Sequence, residues 1–196
     1  KDAGFKTTFL PKPVERINAS AGFEGNRASA TITNVSTGRT SFNGMVDITD
    51  ISGRVVNFSL YSPFLHAEDL SPVKDPPEKT GDAQTGQALP SDKAIAVTGT
   101  GAIEIKDGSA WGHGFSGLHA AVNMGSDAVR IAPLNLTLDK GAVSGNVSIQ
   151  RNPLDPSLLI ADFKLSELDI ESMIAGAGAK KEILSGRLRG SLSLTA

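Results

Sequence analysis

The stretch Gly112–Gly117, GHGFSG, has the G-x-G-x-x-G spacing that lets a backbone close on a pyrophosphate. That use requires an apolar strand directly before the glycines and a helix directly after them. Here KDGSAW precedes, and LHAAVNMG meets another glycine within seven residues. The stretch therefore reads as a glycine-rich turn or an irregular strand edge. His113 and His119 stand six apart, an even spacing that allows both to share one strand face. Metal sites take three or four ligands, and no third is indicated nearby, so both read as surface or edge histidines. His66 lies beside Glu68 and Asp69 and reads as an exposed ion-pair partner. Ser116 sits in GFSGL, where glycine follows the serine directly, unlike the G-x-S-x-G of a nucleophile elbow. Asp47, Asp50, Asp107, Asp127 and Asp139 are scattered near turns, whereas calcium loops cluster acids at alternate positions. The expectation is no catalytic residue, no metal and no cofactor.

The bulk composition narrows the classes further. A net charge of −2 without a basic block argues against nucleic acid. The chain has no cysteine, hence no disulfide framework and no thiolate zinc site. No apolar run reaches the roughly 18 residues of a membrane span, and no signal peptide is visible. The sequence opens at Lys1 and stops at Ala196 inside an alternating pattern. It therefore reads as a segment of a longer protein, with any anchor or export signal outside it.

The elements that would position these residues are strands. Phe42, Val46 and Ile48 alternate with polar residues, as do Val56, Phe58 and Leu60, and Ile103 and Ile105. The same period of two runs through Leu134, Leu136 and Leu138, then Val143, Val147 and Ile149. Phe163, Leu165, Leu188 and Leu192 continue it. Such alternation gives a sheet with one dry and one wet face and favours antiparallel pairing. Turn signals fall at Glu24-Gly25-Asn26, Ser36-Thr37-Gly38, Asp107-Gly108, Gly125-Ser126 and Lys140-Gly141, with Asp139–Gly141 the best hairpin. One short helix is expected near 170–175, with Asp169 as N-cap and Gly176 as stop. Residues 71–92 carry four of the ten prolines and no aromatic residue. They read as a long mobile loop inside a single β domain covering 1–196, and as the main site of limited proteolysis.

The sequence also repeats. GMVDIT (Gly44–Thr49) and GNVSIQ (Gly145–Gln150) are near copies. Each is followed by a Phe-x-Leu strand, Phe58 and Leu60 or Phe163 and Leu165, and then by an acidic exit, Glu68-Asp69-Leu70 or Glu167-Leu168-Asp169. A third copy is expected to begin at LSGRLRGSLSL, Leu184–Leu194. Recurrence of this kind signals one supersecondary unit extended sideways.

DKGAVSGNVSIQ, ADFKLSELDIESMI and ILSGRLRGSLSL, in that order, resemble the carboxy-terminal region of the AsmA-like family of Gram-negative envelope proteins. The resemblance covers about residues 95–196, and 14–70 more loosely. It implies an extended, curled β-sheet with a hydrophobic inner groove. It also implies a periplasmic location with an inner-membrane anchor outside this segment, and a role in phospholipid transport or outer-membrane maintenance. The family offers no catalytic residues to carry over. The long 71–92 loop departs from its usual compact turns.

The expected fold is thus all-β: a curled, extended antiparallel sheet with one short helix, or alternatively a closed β-sandwich or barrel. On the first reading the eighteen apolar residues from Phe42 to Leu192 named above line a groove for phospholipid or another acyl-chain lipid. On the second they fill an ordinary core. An envelope assembly module that binds another β protein through strand edges is the alternative function. A carbohydrate-binding domain would need exposed aromatics, for which Trp111 and Tyr61 are thin support.

Overall fold

A computed structural model describes residues 3–5, 12–70, 97–150, 158–176 and 185–195. Segment 71–92 lies outside them. Among the described residues the alternating sequence forms eleven strands: β1 (Ala3–Phe5), β2 (Val14–Glu24), β3 (Arg27–Thr37), β4 (Thr40–Asp50), β5 (Val55–His66), β6 (Thr98–Ala110), β7 (His113–Met124), β8 (Ala128–Leu138), β9 (Gly141–Gln150), β10 (Leu158–Asp169) and β11 (Arg187–Thr195). A 3₁₀ turn (Ala67–Asp69) follows β5 and one helix, α1 (Ile170–Gly176), follows β10. The strands form one sheet whose spatial order is the order along the chain.

The sheet is not closed into a barrel. Its end strands, β1 and β11, are paired only to β2 and β10, and no second sheet packs on it among the described residues. Every neighbouring pair is antiparallel except β5–β6, which is parallel over Val55↔Thr98 to His66↔Ser109. The expectation of a purely antiparallel sheet is therefore corrected to a mixed one. Period-two alternation reports which face is dry and is blind to strand direction. A parallel neighbour requires the chain to return to the far end of the sheet before β6, and the 27 residues between Leu70 and Thr98 are ample for that.

The turns follow local chemistry. Asp139 and Lys140 join β8 to β9 in two residues, both at positive φ (45° and 65°), the twist that suits a tight hairpin. Trp111 (φ 48°) and Gly112 (φ 85°) do the same for β6 and β7. The turn expected at Asp107-Gly108 thus falls four residues later, and both residues lie inside β6. The GHGFSG stretch opens β7, so a strand stands where a dinucleotide site would need a helix. Asp169 caps α1 as expected: its Oδ1 accepts the amides of Glu171 (3.1 Å) and Ser172 (3.4 Å).

The repeat is visible in the strands. β3 and β8 span 27–37 and 128–138, and β4 and β9 begin at Thr40 and Gly141, an offset of 101 residues in each case. The repeat differs at its junctions: β11 runs antiparallel to β10, whereas β6 runs parallel to β5.

Candidate functional site

Residues directly opposite in a β-ladder share a face of the sheet. The pairing therefore settles which side chains lie together. One row runs Ala21–Ala30–Val46–Phe58–Gly101–Val122–Ile131–Val147–Ala161–Leu194 across ten strands. A second, beside it, runs Ala19–Ile32–Gly44–Leu60–Ile103–Ala120–Leu134–Gly145–Phe163–Leu192. A third passes through Ile48, Val56, Val129 and Ile149. None of these residues has a polar side chain. Nine strand spacings make each ten-residue row about 43 Å long.

All eighteen residues singled out from the sequence belong to this face. Val46 and Ile48 stand on the same side as Val147 and Ile149, joined by continuous rows, while Asp47 and Ser148 share the opposite row through Asn57, Thr100, Asn123 and Arg130. Extra residues keep the rows in phase, one of them in β3 between Ile32 and Val35. At Ala132–Pro133 the β8–β9 register shifts, so Ile131 and Leu134 both face the apolar side. Gly117 (φ 60°) lies in a shift that keeps Phe115 opposite Leu138, and Glu167 (φ 57°) in one that turns Leu168 back to the face opposite Leu188.

The face is shielded without being covered. Ala120 is 8% exposed and Ala161 4%, while Ala102 and Ala121 on the other face are exposed. Yet most of the larger residues, Val46, Phe58, Ile103, Leu134, Val147 and Phe163 among them, remain half-exposed. In a closed β core they would be buried by an opposing layer. Every substantial contact between described elements runs between neighbouring strands, apart from the 3₁₀ turn on β6 and α1 on β10.

Glycines shape the surface of this face. A Cβ at Gly101 would overlap the Phe58 ring, one at Gly108 the Phe115 ring, and one at Gly145 Phe163 and the Asp162 carbonyl. Three phenylalanines thus lie over glycines of adjacent strands. Gly44, opposite Leu60, stands in the same relation as Gly145 to Phe163. At the glycine that opens each repeat, the next strand's carbonyl (Ser59 or Asp162) and the large side chain beside it (Leu60 or Phe163) take the Cβ space.

Among the described residues, His113, His119 and Ser116 are not brought together. The extra residue at Gly117 puts His113 and His119 on opposite faces, which removes the shared face their spacing allowed. His113 Nδ1 is 3.0 Å from Asp139 Oδ2, and Ser116 faces away from His113. His66 is not an exposed ion-pair partner: it is half-buried, its Nδ1 lies 2.8 Å from Ser109 Oγ, and its ring stacks near Phe64. No group of three or more His, Asp or Glu residues suited to a metal occurs among the described residues. A hollow of about 540 Å³ over β3–β6 is lined mainly from the polar face by Thr31, Met45, Tyr61 and Glu104 and holds no nucleophile–base pair.

Sequence reasoning missed the most buried charge. Asp69, read as part of an acidic exit, is 1% exposed. Its Oδ1 accepts Lys12 Nζ (2.6 Å), and its Oδ2 accepts the Arg39 amide (2.8 Å) and the Thr40 hydroxyl (3.2 Å). Burial pushes its carboxyl up, but the Lys12 ammonium and these hydrogen bonds outweigh that and leave it below the usual carboxylate range. The second repeat has a more exposed counterpart. Lys140 Nζ bonds Asp169 Oδ2 (3.1 Å), and the Asp169 amide bonds the Asp139 carbonyl (3.1 Å). In both repeats an acid after the Phe-x-Leu strand ties down the hairpin turn that opens the preceding strand.

Comparison with protein-family models, curated proteins and solved structures gives no match to this chain.

Proposed function

We propose that this chain is a non-enzymatic lipid-binding or lipid-conducting module whose apolar face holds acyl chains. The observation that carries the reading is the set of unbroken apolar rows, about 43 Å long, on a face that no described element covers. One leaflet of bilayer hydrocarbon is only about 15 Å deep, so the rows exceed the length of one buried acyl chain. Each methylene moved from water onto such a face gains about 0.8 kcal/mol. The three rows offer no polar side chain along their length, so an acyl chain bound along them keeps similar contacts as it shifts from strand to strand. Phenylalanines lying over glycines keep their rings low on the sheet, which favours a smooth track over a filled core.

The AsmA-like resemblance supports the same reading. On it, the protein acts in the periplasm, held at the inner membrane by an anchor outside this segment, in phospholipid transport or outer-membrane maintenance. No helix among the described residues is long and apolar enough to cross a membrane.

Photo-crosslinking side chains at positions 147 and 148 test this. Val147 lies mid-row and Ser148 on the opposite face. Expression in a Gram-negative envelope, irradiation and mass analysis should give lipid adducts at 147 and none at 148. Val147→Glu should abolish lipid co-purification at a modest stability cost, since water reaches a half-exposed site. Equal labelling at both positions, or none at either in folded protein, would count against the lipid reading.

A further inference from the structure

We propose that the β6–β7 hairpin tip is a membrane-docking point, at which Trp111 enters the interface of a phospholipid bilayer carrying anionic headgroups. The contact lies on a rim of the sheet and does not depend on what the apolar face holds. Trp111 and Gly112 form the two-residue turn between β6 and β7. Trp111 is at φ 48°, a left-handed conformation that suits asparagine or glycine and is an outlier for a bulky side chain. That conformation costs backbone energy, and the indole recovers little of it by packing, since Trp111 is 76% exposed. Folding thus gives no reason for a tryptophan here. A large exposed aromatic held in strained backbone points to a contact outside the chain.

The tip is also held firmly. The Trp111 amide donates to Glu68 Oε1 (2.6 Å), and the Arg39 charge acts on the same carboxylate from the β3–β4 tip. The Arg39 amide in turn donates to Asp69 Oδ2 (2.8 Å). On the other side His113 donates from Nδ1 to Asp139 Oδ2 (3.0 Å) in the β8–β9 tip, and Lys140 beside it donates to Asp169. The tips along this rim are bonded one to the next. The indole is therefore presented on a fixed frame, and little backbone freedom is left to lose on docking.

The surroundings favour a bilayer as the occupant. An indole has an apolar body and a single N–H donor, the combination that settles tryptophan at headgroup depth. Arg39 and Lys106 near the same rim are exposed and form no ion pair among the described residues. The carboxylates closest to the turn are engaged instead: Glu68 by the Trp111 amide, Asp139 by His113. Basic side chains beside an interfacial aromatic draw it to an anionic headgroup surface.

Trp111 is the only tryptophan in the chain, so intrinsic fluorescence reports this tip alone. Vesicles of phosphatidylcholine with phosphatidylglycerol should shift its emission to the blue and shield it from iodide. Vesicles of phosphatidylcholine alone should do so more weakly. Trp111→Asn should weaken vesicle binding in flotation about tenfold, by loss of a buried aromatic. Its stability to urea should be unchanged or higher, because Asn-Gly is the pair this turn prefers. Val147→Glu, aimed at the apolar face, should leave the blue shift of Trp111 intact, so this docking and the lipid-binding reading fail separately. Unshifted emission with the anionic vesicles would overturn the proposal, as would an equal shift with phosphatidylcholine alone. A loss of stability in Trp111→Asn would also overturn it, by making the indole part of the fold. So would a blue shift with a soluble glycan and no vesicles, by making the indole a sugar platform.

Discussion

Gly145→Val is expected to destabilise the protein by about 3 kcal/mol or more, near the upper end for an overpacked site. A Cβ at Gly145 would run into the Asp162 carbonyl and the Phe163 Cα as well as the Phe163 ring. Backbone cannot step aside as a side-chain end can, so β9 and β10 must separate locally. Gly114→Val is the matched control: it also lies in a strand, and nothing stands within 4 Å of its Cβ position. Valine suits a strand better than glycine, and the change should stay within about 0.5 kcal/mol. Urea unfolding of the two variants, followed by circular dichroism, compares them. Equal losses would mean that the glycines are not set by the residue across the ladder.

Asp69→Ala should cost about 3 kcal/mol, since it leaves the Arg39 amide, the Thr40 hydroxyl and Lys12 without their acceptor. The pH dependence has a definite sign. A carboxyl held below its ordinary value when folded contributes stability above the unfolded value, near 3.9, and loses it as pH falls through the folded value. The unfolding midpoint should therefore fall steeply with pH below about 4, and Asp69→Asn should flatten that limb. Asp50, Glu167 and Asp169 are also held low, Asp50 by the Gly53 amide, Glu167 by Arg187 and then Arg189, and Asp169 by Lys140, so part of the limb survives in the variant. An acid limb identical to that of the native protein would remove Asp69 from the account.

What the sequence revealed and what it hid divide along physical lines. Alternation placed Phe42 to Leu192 on one face because side-chain direction is a local property of a strand. The Asp169 cap and the Asp139–Lys140 hairpin were legible for the same reason. Strand direction is not local, and nothing in Val55–His66 or Thr98–Ala110 announces that the two run parallel. The register shifts were hidden as well. Spacing alone suggested that His113 and His119 could share a face, and one additional residue at Gly117 reverses that. Asp69 looked like a solvated acid because its partners, Lys12 and Arg39, stand 57 and 30 residues away. The face was therefore readable from sequence, whereas its continuity across the sheet required the pairing.

The coincidence of spatial and chain order bears on how this protein folds. Each strand gains its contacts almost wholly from the strands immediately before and after it, so its stability is close to a sum of nearest-neighbour couplings, as in a linear array. Loops of two to four residues close six of the ten couplings and can form early and locally. The β5–β6 coupling is the extreme, because the longest loop must close before the two strands meet. Hydrogen exchange should then resolve two cooperative blocks, β2–β5 and β6–β10, with the weakest link at that seam.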